Sequence, residues 1–127
     1  MIVKANISGW KWRFSKGEVF TLPFVYLGYL PLLIESKAGN VLVELSDNKL
    51  YIKRHYHFDG ATYAPDFKGV LRASAVHDAL LQLAEKHPGK LDRELASEAF
   101  NYQMKQDGFK LRLPYYWGVK IYSYFRK

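Results

Sequence analysis

The spacing of apolar residues changes near the middle of the chain, and this change constrains the fold more than any other feature. Two segments before residue 59, Val41–Leu45 and Leu50–Phe58, are rich in Val, Ile, Tyr and Phe, which favour strands. From about Val70 onward the apolar residues recur every three to four positions, which is typical of helices. This order predicts an α+β fold, with an antiparallel β-sheet first and helices after it.

The same pattern places the boundaries of the elements. We expect mainly strands over residues 1–58, a loop over 59–69 and mainly helices over 70–127, all within a single domain. Between the two strand-like segments, Ser46–Lys49 consists of residues that favour turns. The N-terminal part is therefore predicted to contain a hairpin centred on these four residues.

Three helices are predicted in the second half. The first begins near Val70 and ends near His87–Lys90, where Pro and Gly interrupt the pattern. Asp92 is a suitable N-cap for a second helix that ends at Asp107–Gly108. The short connection makes these two helices antiparallel neighbours, and Pro114 suits the first turn of a third helix.

Composition excludes several classes of protein. The chain of 127 residues is 49% apolar, enough for a sizeable core, so intrinsic disorder does not fit. It contains no Cys, which excludes thiolate zinc sites and cysteine nucleophiles. The net charge of +7 predicts attraction to polyanions such as nucleic acid, anionic lipid or cell-wall polymer.

No targeting or membrane-spanning segment is recognisable. Met1–Trp12 lacks the apolar core of a signal peptide, which predicts that the protein is not exported by that route. Phe20–Ile34 is the most apolar stretch, but it has 15 residues and two prolines, whereas a spanning helix needs about 20 apolar residues. It predicts two strands or an extended loop, and the alternative is a loop that docks on a membrane surface or a partner.

His77 and Asp78 stand side by side in the apolar run Ala75–Leu81 of the first predicted helix. One interpretation is a general base beside a metal-binding carboxylate. The alternative is structural, with His77 as a hydrogen-bonded core residue and Asp78 solvated or capping the preceding loop.

The loop before this helix offers oxygen ligands. Asp59 supplies a carboxylate, Thr62 supplies a hydroxyl, and Gly60 lets the backbone approach a ligand closely. Such a set suits calcium or another divalent cation, with Asp59 and Asp78 as metal ligands. The alternative is a simple turn, with Thr62 as a local cap.

A second metal site is conceivable on the predicted strand. The period of two places His55, His57 and Asp59 on one face, where two imidazoles and a carboxylate could hold a transition metal. A solvated strand face would produce the same alternation.

The C-terminal segment is both basic and aromatic. Residues 108–127 contain five Lys or Arg, seven aromatic residues and no acid. Trp117 and Lys120 are therefore candidate binding residues, for single-stranded nucleic acid or for an anionic membrane surface. The alternative is an amphipathic helix that packs its aromatics on the core.

From residue 56 onward the chain resembles a family of small proteins of unassigned function encoded mainly by bacteriophages and prophages. The resemblance covers about 70 residues and includes Arg72 as a further candidate binding residue. The matching positions are Phe58–Thr62, Pro65, Leu71–Leu80, Arg93, Ala96, Phe100 and Asp107–Gly108. The family implies a phage or prophage origin, and with it a location in the host cytoplasm or the virion, but no chemistry.

The chain also has a more distant similarity to phospholipase A2. That similarity implies that Asp59–Gly60 is a calcium-binding loop, His77 the base and Asp78 a metal ligand. The pattern departs at Leu81, where the wider family often has Tyr, and at Ser97, where it has Asp. Because Ser97 cannot act as an anionic orienter of an imidazolium, another group must take that part. Glu98 is the candidate, with Glu94 and Asn101 as further possibilities.

Two functions compete. The favoured hypothesis is a non-enzymatic phage or prophage protein, either a virion component or a host-takeover binding protein. The alternative is a metal-assisted, phospholipase A2-like hydrolase that uses His77 and Asp78.

Overall fold

The computed structural model describes residues 2–4, 12–58, 70–109 and 112–126, with residues 122–126 described as helical backbone only. Within these ranges the chain forms strands and then helices. The elements are β1 (Ile2–Lys4), β2 (Trp12–Phe14), β3 (Glu18–Tyr26), β4 (Leu32–Glu35), β5 (Val41–Ile52), β6 (His57–Phe58), α1 (Leu71–Lys86), α2 (Glu94–Gln106) and α3 (Arg112–Arg126).

The described strands form two antiparallel sheets. Their strand orders are β1–β2–β6 and β3–β5–β4. In the second sheet β5 is central, with Ile52 opposite Glu18 of β3 and Leu45 opposite Leu32 of β4. Because the helices follow the strands in the chain, the predicted α+β fold is confirmed.

The predicted hairpin at Ser46–Lys49 is wrong. These residues lie inside β5, which continues without a turn to Ile52. Pairing with β3 supplies the reason, since Lys49 lies opposite Thr21 and Asp47 opposite Tyr26, with a shift in register between them. Asp47 adopts a φ of 53°, a conformation that Asp tolerates better than most residues. The turn-forming residues therefore produce only a local irregularity in a strand that stays paired with β3.

The predicted strand Leu50–Phe58 is also interrupted. The chain turns between Ile52 and His57, and His55 has a φ of 76°. Two hydrogen bonds to Phe14 of β2 stabilise the turn. The His55 amide donates to the Phe14 carbonyl at 2.8 Å, and the Phe14 amide donates to the Tyr56 carbonyl at 2.9 Å. These bonds carry the chain from the end of β5 to the other sheet.

One hydrophobic cluster joins both sheets to α1 and α2. Apolar residues alternate along the strands and recur at helical spacing in the helices, so each element presents one apolar side to the cluster. Its fully buried large side chains include Phe14, Phe20, Leu45, Leu50, Ile52, Phe58, Leu80 and Leu83.

The helix boundaries agree with those predicted to within one or two residues. The Asp92 carboxylate accepts a hydrogen bond from the Glu94 amide at 2.9 Å. The N-cap position itself is occupied by Arg93, one residue later than predicted, and Arg93 makes no side-chain capping bond. At the other end of α2, Gly108 has a φ of 71°, and the Phe109 amide donates to the Met104 carbonyl at 2.9 Å. This is the hydrogen bond of a Schellman motif.

A second hydrophobic cluster fixes α3 against α2. Tyr115 and Val119 of α3 are buried there with Phe100 and Met104 of α2. Phe109, which follows the end of α2, packs on the same cluster. The segment after α2 and the buried face of α3 therefore share one cluster.

Candidate functional site

His77 lies on the side of α1 that faces α2. The residue is 7% exposed, and its ring centroid lies 5.5 Å from that of Phe100. Its Nδ1 is 3.6 Å from the nearest Asp78 carboxylate oxygen, which is longer than a hydrogen bond. The two predicted residues are therefore adjacent, but the imidazole is enclosed within the helix pair.

The other ring nitrogen of His77 is buried without a hydrogen-bond partner among the described residues. A buried polar atom left in that state costs about 1–3 kcal/mol. In a catalytic His–Asp pair this second nitrogen would be held by an anionic group. Ser97, at the position of that anion in the phospholipase similarity, is buried but carries no charge.

Glu98, the predicted substitute, does not approach His77. It is exposed on α2, where it accepts a hydrogen bond from the Tyr116 hydroxyl at 2.7 Å and lies 3.6 Å from the Lys120 ammonium. The two further possibilities are also directed elsewhere, since Glu94 is exposed and the Asn101 side chain accepts from Arg112 at 3.1 Å. The described part of α2 thus brings no carboxylate to the imidazole.

The predicted cation loop, Asp59, Gly60 and Thr62, lies outside the described residues. Asp78, the other predicted metal ligand, is partly buried, with its side chain 22% exposed. In the part of the chain that the structure describes, no three His, Asp or Glu side chains come together in a way that could hold a metal ion.

The second predicted metal site has lost its geometric basis. His55 is in the turn between β5 and β6 rather than on a strand face. The Nδ1 of His57 lies 2.6 Å from the His55 carbonyl oxygen. Because a carbonyl oxygen can only accept, Nδ1 carries the proton, and His57 could bind a metal only through Nε2.

Arg72 joins three elements. Its Nε donates to the carboxylate of Glu18 in β3 at 3.0 Å. Its Nη1 donates to the carboxylate of Asp107, the residue after α2, at 2.7 Å. The guanidinium also lies 5.1 Å from the centre of the Phe20 ring. A cavity of about 410 Å³ adjoins this cluster. Arg72 is thus committed to internal partners, which is a structural role for a predicted binding residue.

The apolar stretch Phe20–Ile34 contains β3, β4 and the segment between them. In that segment Leu27, Tyr29 and Leu30 are exposed. The segment and the connection between α1 and α2 line a cavity of about 660 Å³. Beside it, His87 Nε2 lies 3.0 Å from the carbonyl oxygen of Leu33 in β4. Sequence reasoning raised a docking loop here, but the alternation within the run could not show which side chains are exposed.

The helix α3 has two apolar faces. Tyr115 and Val119 form the buried face. Leu113, Trp117 and Ile121 are 53%, 57% and 56% exposed, and we call these three residues the α3 stripe. Trp117 was predicted as a binding residue, but its two apolar neighbours were missed. Their spacing of four residues was the available signal, which is equally typical of a core-facing helix side.

Lys120 lies beside the α3 stripe. Its ammonium is 5.1 Å from the Tyr116 ring centre and 5.9 Å from that of Trp117. The hydrogen bond with Tyr116 is the main cause that raises the pKa of Lys120 above its usual 10.5, and the Glu98 carboxylate adds to it. Lys120 therefore stays positively charged at the edge of an exposed apolar surface.

None of the helices in the described ranges is both long enough and apolar enough to cross a membrane. Comparisons of the chain with protein-family models, with curated proteins and with solved structures find no match.

Proposed function

We propose that this protein is a non-enzymatic phage or prophage protein that acts by binding, either as a virion component or as a host-takeover protein. The observation that carries the proposal is the α3 stripe, an apolar surface on the face of the helix opposite its packed side. Surfaces of this kind mark sites of interaction. The partner is a phage or host component, or an anionic surface, met in the host cytoplasm or in the virion.

The surroundings of His77 support binding rather than catalysis. The imidazole is buried, the described part of α2 offers it no carboxylate, and Glu98 is engaged by Tyr116 and Lys120. A general base needs access to a substrate and a group that holds its second nitrogen. The imidazole instead suits a packing role between α1 and α2, where it lies against the Phe100 ring.

Fractionation of bacterial extracts tests the proposal. We expect the wild-type protein to sediment with large assemblies, and the variant Leu113→Ser/Trp117→Ser/Ile121→Ser to move to the supernatant. His77→Gln is the matched control at the buried pair and should sediment like the wild type. The proposal fails if the triple variant sediments like the wild type, or if folded His77→Gln is released instead.

The second candidate is a phospholipase A2-like hydrolase, and one observation favours it. His77 and Asp78 are adjacent, with the imidazole Nδ1 3.6 Å from a carboxylate oxygen of Asp78. Release of fatty acid from phospholipid vesicles in the presence of calcium tests it. Release that disappears in His77→Gln would establish the hydrolase, and no release above the protein-free blank would exclude it for that substrate.

A further inference from the structure

The α3 stripe points away from the body of the protein. Its residues are four positions apart, so each lies only about 40° around the helix from the last. Trp117 and the buried Val119 are two positions apart, which separates them by roughly 200°. The α3 stripe is therefore on the opposite side of the helix from the contact with α2.

Positive charge accompanies this apolar surface. Residues 108–127 contain five Lys or Arg and no acid. Lys120 lies near the rings of Tyr116 and Trp117 and 3.6 Å from Glu98. The chain as a whole carries a net charge of +7, so a basic surplus remains. A helix with apolar residues on its outer face and a basic surplus is complementary to a surface that is apolar inside and negative outside.

The chemistry of the α3 stripe distinguishes lipid from nucleic acid. Binding of a single strand relies on aromatic side chains on which successive bases stack. Of the three residues in the α3 stripe only Trp117 is aromatic. Leu113 and Ile121 contribute aliphatic surface, which bases cannot stack on and phosphates do not bind. Burial of that surface against acyl chains is favourable, and an interfacial Trp suits the level of the lipid headgroups.

The length of α3 fixes how it would meet a bilayer. The helix has 15 residues, fewer than the approximately 20 that are needed to cross the hydrocarbon core. Its inner face is already packed on α2. Only contact in the plane of the surface is then compatible with the fold.

We propose that α3 docks on the surface of an anionic lipid bilayer. The α3 stripe enters the boundary between headgroups and acyl chains, while Lys120 beside it meets lipid phosphates. This inference rests on the proposed function, since it names the partner of the same surface.

Co-sedimentation with vesicles of phosphatidylglycerol and phosphatidylcholine tests the inference. We expect wild-type protein to pellet with these vesicles, and to lose about tenfold in partition coefficient with phosphatidylcholine alone or in about 0.5 M NaCl. Trp117→Ser/Ile121→Ser should lose at least about tenfold on the anionic vesicles. Val19→Ser, at a residue of β3 that is 55% exposed, is the matched control and should bind like the wild type.

Three outcomes would overturn the inference. They are no binding to anionic vesicles, unchanged binding of folded Trp117→Ser/Ile121→Ser, and binding of a single-stranded oligonucleotide without binding of vesicles. Circular dichroism melting of each variant verifies that it is folded.

The same vesicles separate this inference from the proposed function. Fatty acid release that His77→Gln abolishes would overturn the non-enzymatic function and leave docking through α3 intact. Absence of vesicle binding, combined with sedimentation in extracts that depends on the α3 stripe, would overturn only the lipid partner.

Discussion

In most proteins apolar side chains are buried and polar ones face the solvent, and the His77–Asp78 pair and the α3 stripe both depart from this distribution. The pair places polar groups in a largely buried site, whereas the α3 stripe leaves apolar groups in water. A buried polar atom without a hydrogen-bond partner lowers the stability of the folded state. An exposed apolar side chain costs folding little and contributes free energy when a partner covers it. The difference teaches that the first region is suited to a fixed role inside the fold and the second to binding.

The largest expected effect tests how tightly the His77 region is packed. Phe100 is fully buried and lies against the His77 ring. Phe100→Ala should lower the free energy of unfolding by about 3–5 kcal/mol, because it leaves a cavity at the centre of the helix pair. Urea denaturation followed by circular dichroism measures the loss. A loss below about 1 kcal/mol would show that the space around His77 is open, and the comparison would fail.

Tyr115 and Trp117 form a matched pair on the two faces of α3. Tyr115→Ser should cost about 3 kcal/mol, because the side chain is buried against α2. Trp117→Ser should change the free energy of unfolding by no more than about 0.5 kcal/mol, because the ring is largely in water. Denaturation of both variants in parallel measures the contrast. Equal losses would mean that the α3 stripe is part of the core.

Arg72 is a third kind of site, which is polar, partly exposed and paired with two carboxylates. Arg72→Met should cost about 2 kcal/mol, because the carboxylates of Glu18 and Asp107 lose a charged donor. Thermal melting at low and high salt measures the loss, and Glu18→Gln is the milder control. A stable Arg72→Met variant that loses binding of a partner would restore Arg72 as a binding residue.

His77→Leu should raise the free energy of unfolding by up to about 1 kcal/mol, because Leu removes a buried nitrogen that has no partner among the described residues. His77→Asn keeps a polar side chain at the site and should be less stable than His77→Leu. Urea denaturation ranks the two variants. If His77→Leu were the less stable of the two, the imidazole would be making a favourable polar contact.

The smallest effect concerns the charge beside the α3 stripe. The pKa of Lys120 is raised by Tyr116 and then by Glu98, so the folded state holds this proton more tightly than the unfolded chain does. The associated stability is present below pH 10.5 and is lost as the pH rises through the folded pKa. Glu98→Gln should lower the pKa of Lys120 in an NMR titration of the side chain. An unchanged pKa would show that Glu98 does not act on Lys120 in solution.

Sequence reasoning succeeded where local chemistry decides the structure. Asp92 and Gly108 flank α2 through their own side-chain and backbone properties, so both ends of this helix could be predicted from the sequence to within one or two residues. Ser46–Lys49 failed because pairing with β3 outweighs the turn preference of these residues. His55 failed because bonds to Phe14, more than 40 residues away in the chain, hold its turn.

The candidate site was harder to predict for a related reason. The sequence singled out His77, Asp78 and Trp117, since charged or aromatic residues at unusual positions are visible in it. The rotation of α2 about its own axis is not visible, and that rotation turns Glu98 toward α3. The exposure of Leu113 depends in the same way on which side of α3 packs against α2.

Because α3 packs on α2 with one face and exposes the α3 stripe on the other, binding of a partner to this helix is coupled to the stability of the fold. Its sequence contains Gly118 in mid-helix, which costs about 1 kcal/mol relative to Ala, and an isolated helix of this length is marginal in water. Its order therefore comes from α2 on one side. A partner that binds the other side binds only the folded helix, so its free energy of binding adds to the stability of the protein as the partner's concentration rises.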